Sequence, residues 1–353
     1  MPDTQQPIRT ALCSFGMSGW VFHAPFIAIN PGFELYAIWE RTKDLAPAKY
    51  PGVKTVRSLE AILEDNSIEL VVINTPNATH YEYTKKALLA GKHVVVEKPF
   101  TVTVAEAEEL ITLAKQSNKI IAIYQNRRFD SDYRTVKKIV DEKWLGEIIE
   151  AEIHYDRYKE EPGPKQHKEI PGPGTGLLYD LGSHLIDQVL QFFGMPDAIF
   201  ADIAIMRKLS KVDDYMELLM YYPGMRVRVK SSYMVREALP SYAFHGTKGS
   251  FIKARTDVQE VMLQAGVVPG GPDWGVEPES EKGLLHTEKD GKIIREYVPS
   301  MRGNYGDFYD LLYKAIREGA PVPVTADEGL NIIRVIEAAY ESNEAKTVVP
   351  VKK

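Results

Sequence analysis

Short apolar runs alternate with amphipathic stretches over the first third of the chain. Ile8–Ser14, Glu34–Trp39, Leu70–Asn74, His93–Glu97 and Ile120–Tyr124 read as strands, with Ser58–Glu64, Tyr81–Ala90 and Val104–Ser117 as helices between them. That order predicts parallel strands joined by crossover helices. Thr103-Val104-Ala105-Glu106 has the spacing of a capping box, so a helix is expected to start just beyond Glu97-Lys98-Pro99. From Arg127 onward the runs lengthen and alternate with period two: Ile148–Tyr155, Ile199–Met206, Tyr215–Tyr222, Arg226–Met234 and Ser241–Phe244. Such alternation predicts a largely antiparallel sheet with one covered face. Ala265–Pro278 reads as a long loop, and Tyr305–Glu318 and Asp327–Ser342 as closing helices. The expected architecture is a doubly wound α/β domain with a parallel sheet over residues 1–125. An α+β domain with an open, largely antiparallel sheet follows over 126–353, its last helix able to pack back on the first domain.

A chain of 353 residues exceeds what one core usually supports, in keeping with two domains. The net charge of −6, with basic and acidic residues interleaved, excludes general attraction to nucleic acid or an anionic membrane. Cys13 is the only cysteine, which excludes an intramolecular disulfide and a cysteine metal cluster and suits a small core residue. Met1–Gln6 lacks the features of a secretory leader, and no stretch is long and apolar enough to span a bilayer, so a cytoplasmic protein is expected.

The first strand runs into Ser14-Phe15-Gly16-Met17-Ser18-Gly19, a dinucleotide-binding loop of the Rossmann type in which serine replaces the first glycine. Gly16 lets the backbone approach a pyrophosphate, Gly19 allows close helix–strand packing, and the helix start supplies N–H groups and partial positive charge. Glu40 ends the second strand, where an acid meets the adenosine ribose, and Arg41 and Thr42 follow, suited to a 2′-phosphate. The alternative is a surface Glu-Arg pair. The expectation is NADP over NAD. Asn74-Thr75-Pro76-Asn77-Ala78-Thr79-His80 lies beyond another buried strand, where Thr75, Asn77 and His80 suit the nicotinamide end; an ordinary helix-capping turn is equally compatible.

Lys98 leaves a buried strand at the carboxyl edge of the sheet, where α/β proteins bind ligands. In the second domain, Asp180 and His184 are four apart on a probable helix and share a face, with Gly182 between them to admit a flat ring. Oxidation of an alcohol by a nicotinamide needs a proton acceptor, a donor to the developing alkoxide and exclusion of water. His184 is assigned as general acid/base, Lys98 as polarising donor and Asp180 as the carboxylate that positions substrate.

Ser14–Gly19 with Phe22-His23-Ala24-Pro25, Glu97-Lys98-Pro99, and Asp180 with His184 together resemble the glucose–fructose oxidoreductase/inositol dehydrogenase/rhizopine-catabolism (Gfo/Idh/MocA) family over nearly the whole chain. Tyr124–Asp130, Tyr155-Asp156-Arg157-Tyr158 and Gly176–His184 are similar to its branch of NADP-dependent scyllo-inositol 2-dehydrogenases. The resemblance implies a Rossmann domain, a lysine, aspartate and histidine catalytic set, a polyol or sugar substrate, and a homodimer or homotetramer built through the C-terminal sheet. It adds Met17, Glu97, Lys98, Asn126 and Arg128 to the cofactor contacts, and sets Arg157 and Tyr158 beside Lys98, Asp180 and His184 as substrate contacts. Two departures stand out: Ser14, and Lys165-Gln166-His167-Lys168 where an Arg-Trp-Arg-like cluster is expected. Two other readings are a sugar hydrolase or isomerase with a metal on Asp180, His184 and Asp187, and a non-catalytic NADP sensor. The first leaves Lys98 and the loop idle, and the second leaves the catalytic trio unexplained.

Overall fold

The computed structural model describes residues 6–163 and 166–352; the start of the chain and Lys165, both weighed above, lie outside them. It divides into two compact units. One runs to Asn126 and takes in Gln259–Trp274 and Asn304–Leu330; the other comprises Arg127–Val258, Gly275–Gly303 and the chain from Asn331.

The first unit holds a six-stranded sheet of β1 (Ile8–Leu12), β2 (Phe33–Trp39), β3 (Lys54–Val56), β4 (Leu70–Ile73), β5 (His93–Glu97) and β6 (Ile121–Tyr124). Their order is β3-β2-β1-β4-β5-β6 and every pairing is parallel. The order reverses between β1 and β4, which opens a crevice at their carboxyl ends. β4 and β6 are buried at every residue, as strands covered on both faces must be, and this explains their unbroken apolar runs. The Val104–Ser117 helix begins with the expected capping box: Glu106 N–H donates to Thr103 Oγ1 at 3.3 Å, and Thr103 N–H donates to Glu106 Oε2 at 3.0 Å.

The second unit carries a nine-stranded sheet of β7 (Ile148–His154), β8 (Ala198–Ala204), β9 (Tyr215–Tyr222), β10 (Met225–Ser232), β11 (Tyr242–Gly246), β12 (Gly249–Lys253), β13 (Gly283–Lys289), β14 (Lys292–Val298) and β15 (Val349–Pro350). The order is β14-β13-β12-β11-β7-β10-β9-β8-β15. Only β7 and β10 pair parallel, so the sheet is mixed but mostly antiparallel. Along β9 each residue alternates between half-buried and buried, the mark of one covered face. The Ser183–Phe193 helix lays Phe192 and Phe193 on Phe244 of β11 at ring separations of 5.2 and 5.8 Å, anchoring the element that bears His184.

A fully buried ion pair ties β12 to the Gly275–Gly303 segment. Lys253 Nζ donates to Glu277 Oε2 at 2.7 Å and to the Glu281 carbonyl at 2.7 Å, and Ser300 Oγ donates to the same carboxylate oxygen at 2.6 Å. Removing one member strands the other without water. Glu277→Ala is expected to lower unfolding free energy by about 3–5 kcal/mol, measured by urea denaturation; a loss below ~1 kcal/mol would show that solvent reaches Lys253.

Candidate active site

Beyond β1 the chain turns through Ser14–Gly19 into a π-helical turn, Ser18–His23, closed by Ala24 N–H on the Gly19 carbonyl. The Ser14 hydroxyl accepts from Gly16 N–H at 3.1 Å, so serine supports the turn that the first glycine of the motif usually makes. At Gly19 a Cβ would stand 2.2 Å from the Ser14 carbonyl oxygen, which excludes any other residue and keeps the loop pressed on the strand. Asn74 Nδ2 donates to that same carbonyl at 2.8 Å, fastening the loops after β1 and β4 together at the crevice. Gly16 is exposed and Met17 half-buried. Cys13 is buried as expected, and burial pushes its thiol up.

Glu97 joins this loop to the lysine turn. Its Oε1 accepts from Ser18 Oγ and from His23 Nε2 at 3.0 Å, and its Oε2 accepts from the N–H of Lys98 at 3.2 Å. His23, wholly buried, turns Nδ1 to the Tyr309 hydroxyl at 2.6 Å, and the Nε2–H tautomer satisfies both contacts. Burial opposes ionisation of Glu97, but His23, Ser18 and the Lys98 charge outweigh it and bring the carboxyl from 4.5 down to about 2. The Lys98–Pro99 peptide is cis. Ser18, His23, Tyr309 and Asn74 were not singled out from the sequence, although His23 stands inside the Phe22–Pro25 motif.

Two of the expected cofactor contacts face inward. The Glu40 carboxylate accepts from Leu45 N–H at 3.1 Å and Ala46 N–H at 2.9 Å, serving as the cap of the short Leu45–Lys49 helix, so both oxygens the ribose was expected to meet are engaged. Arg57 braces this loop through the Glu40 and Lys43 carbonyls and both oxygens of Asp44. Arg41 and Thr42 remain exposed on it. His80 is also wholly buried, its ring between the Pro99 carbonyl (2.8 Å) and the Thr75 carbonyl (3.0 Å), with burial holding its pKa below the usual value. It pins the β4 loop to the Lys98-Pro99 turn. Thr75 Oγ1 meets Thr79 Oγ1 at 2.6 Å, and Asn77 opens a short 3₁₀ turn in the same loop. Asn126 is buried where the first unit ends.

In the second unit Asp180 lies on another π-helical turn, Leu178–Gly182, which runs directly into the Ser183–Phe193 helix and buried His184. At Gly182 a Cβ would meet Met216 Sδ of β9 at 2.8 Å and Leu178 Cδ1 at 2.9 Å, so this position packs closely against the sheet. Asp213 holds the start of the turn, accepting from Leu178 N–H at 2.9 Å and from the Tyr340 hydroxyl at 3.2 Å. Lys168 Nζ reaches Asp180 Oδ1 at 2.9 Å. Arg207 holds the segment bearing Lys168, binding Glu169 at 3.1 Å, the Glu161 carbonyl at 3.1 Å and Asp214 at 2.9 Å.

Arg128, expected at the cofactor, instead grips Asp187 through two bonds of 2.9 and 2.6 Å, one helical turn beyond His184. Among the described residues no group of three or more His, Cys, Asp or Glu is placed to hold a metal. Arg157 donates to the Tyr155 hydroxyl at 3.0 Å, and Tyr158 donates to Glu160 at 2.9 Å beneath the Arg236 guanidinium.

Because the folded Glu97 carboxyl is depressed, its contribution to stability is complete above the unfolded value near 4.5 and is lost as pH falls toward about 2. Glu97→Gln removes that dependence. The stability gap between parent and variant should therefore shrink as urea denaturation is repeated from about pH 5 to about pH 3; a constant gap would contradict it.

Comparison with known proteins bears on both halves. Residues 8–125 match the model of the oxidoreductase family's NAD-binding Rossmann fold, and residues 137–352 that of its C-terminal alpha/beta domain. The scyllo-inositol 2-dehydrogenase (NADP(+)) IolW of Bacillus subtilis is 38% identical, covering 97% of this chain and 95% of its own. A Bacteroides fragilis protein of known structure, assigned as an oxidoreductase, is 48% identical with a TM-score of 0.89, over 98% of this chain and 99% of the other. An oxidoreductase from Bacillus cereus is 32% identical with a TM-score of 0.90, over 98% and 99%. No helix among the described residues is long and apolar enough to cross a membrane. With both domain models matched in order along its length, the chain belongs to the Gfo/Idh/MocA family of NAD(P)-dependent oxidoreductases.

Proposed function

We propose that this protein interconverts a secondary hydroxyl and a ketone on a cyclic polyol or sugar of the inositol kind, with NADP as the preferred cofactor. The observation that carries the reading is the Glu97 carboxylate, which bonds Ser18 of the dinucleotide loop and the backbone of Lys98 at once. A lysine fixed to the pyrophosphate loop in this way suits a group that meets a reacting oxygen, not a solvated loop charge. The name of the Bacillus subtilis relative supports both substrate class and cofactor.

The residues fit the cofactor. Gly16, Met17 and Gly19 would hold the pyrophosphate, Thr75, Asn77 and Asn126 the nicotinamide side, and Arg41 with Thr42 the 2′-phosphate. Glu40, His80, Glu97 and Arg128 act through their neighbours as positioning residues. NADP, when bound, takes up or returns the hydride. Lys98 donates to the substrate oxygen and stabilises its developing negative charge, His184 takes the hydroxyl proton, and Asp180 orients a neighbouring hydroxyl. Assembly through the C-terminal sheet and a cytoplasmic setting complete the proposal.

Lys98→Met and His184→Ala should each lower kcat by at least about 100-fold, with cofactor affinity by fluorescence titration changed less than ~3-fold. Parental turnover of inositol isomers and aldoses by either variant would refute the assignment. Arg41→Ala should raise the Kd for NADP about tenfold while leaving that for NAD nearly unchanged, and equal effects would remove the case for NADP.

A further inference from the structure

We propose that the substrate carries an anionic substituent, received by Arg157 and Lys159; this rests on the dehydrogenase reading above. The Tyr155–Lys159 segment is held in extended form by alternate backbone bonds: Tyr155 N–H to the Lys230 carbonyl (3.1 Å), Arg157 N–H to Ser232 (2.9 Å) and Lys159 N–H to Tyr233 (2.8 Å). Residues 155, 157 and 159 therefore project to one side. The Arg157 guanidinium lies 4.9 Å from the Tyr155 ring centre, and Lys159 Nζ 5.4 Å from that of Tyr233. Stacked and bonded to the Tyr155 hydroxyl, the Arg157 fork is held ready for a planar or tetrahedral anion.

What these two cations lack is a carboxylate. Among the described residues neither lies within ion-pair distance of one, whereas nearby Arg207 has Asp214 and Glu169, Lys168 has Asp180, and Arg127 has Asp130 and Asp257. Glu160, next in the chain, is held on the Tyr158 hydroxyl. The place is also that of the reaction, because Asp180, Lys168 and Glu169 are close enough to act on the Lys159 charge. Burial and then repulsion from Arg157 push the Lys159 ammonium down, with Asp180 and Glu169 acting the other way. Lys168 neutralises Asp180, so the carboxylate that orients substrate does not repel a bound anion. A carboxylate or phosphate on a polyol or sugar would supply the carboxylate-like partner that Arg157 and Lys159 lack; a neutral polyol would not.

The test is steady-state kinetics on the intact protein with NADP and with NAD, comparing glucose with glucuronate and glucose 6-phosphate, and myo-inositol with its monophosphate. An acidic member should exceed its neutral parent by at least about tenfold in kcat/KM, with the advantage falling as salt rises. Preference for glucuronate over the phosphates assigns a carboxylate, and the reverse assigns a phosphate. Lys159→Gln, at an exposed position where folding is not at risk, and Arg157→Gln should each bring the acidic-to-neutral ratio toward one. Neutral parents turned over as well as or better than the acids, or variants that lower both alike, would overturn this inference and leave the dehydrogenase reading intact. Absence of turnover with every compound and both cofactors would overturn both.

Discussion

A carboxylate sealed at the end of a parallel strand must find donors, and in the first unit that demand organises the site. Glu97 is satisfied by Ser18 from the dinucleotide loop, His23 from the turn that follows it, and the backbone of Lys98. Each donor comes from a different segment, so the electrostatic requirement of one side chain sets the spacing between the Ser14–Gly19 loop and the lysine. His23 carries the constraint further, since its second nitrogen meets Tyr309 on the Gly306–Glu318 helix. A buried charge held by several donors stabilises only if all are present, so partial assembly of the site is disfavoured.

The same economy shows in the two π-helical turns, Ser18–His23 and Leu178–Gly182. A π turn widens the helix and gives up regular bonding, and it persists where side chains must be aimed rather than merely packed. One directs Ser18 and His23 at Glu97; the other carries Asp180 toward Lys168 and passes into the helix of His184. Close approach accompanies both, at Gly19 against Ser14 and at Gly182 against Met216.

How much of this was legible depended on whether the deciding interaction was local. The parallel strands, the Thr103–Glu106 cap and the Gly16–Gly19 loop rest on neighbours in sequence, and they emerged from apolar runs and short motifs. β3 is three residues long and shows no period. The β13–β14 hairpin was missed because its outer strand is largely exposed and its apolar residues come in adjacent pairs instead of alternating, though Asp290-Gly291, both with positive φ, is the signature of a tight hairpin turn and could have revealed it. Glu40 was read as a ribose acceptor from its place directly after β2, and only the fold brings Leu45 and Ala46 N–H groups to its oxygens. The partner of Arg128, 59 residues away, was equally beyond any spacing rule.

These long-range partners share one direction. Glu40, Glu97, Asp180 and Asp187, the acids that sequence reasoning placed around the ligands, are occupied by backbone N–H groups, Ser18 and His23, Lys168 and Arg128 respectively. Arg41, Arg157 and Lys159 have no carboxylate within ion-pair distance among the described residues. In a chain with net charge −6 these cations stand apart from its acids. Net charge governs long-range behaviour, whereas local recognition follows whichever charges the fold leaves unneutralised. On that ground the proposed 2′-phosphate at Arg41 and the proposed acidic substituent at Arg157 and Lys159 would follow one rule, in which the acids beside each site are paired internally and a ligand would supply the negative charge those cations lack.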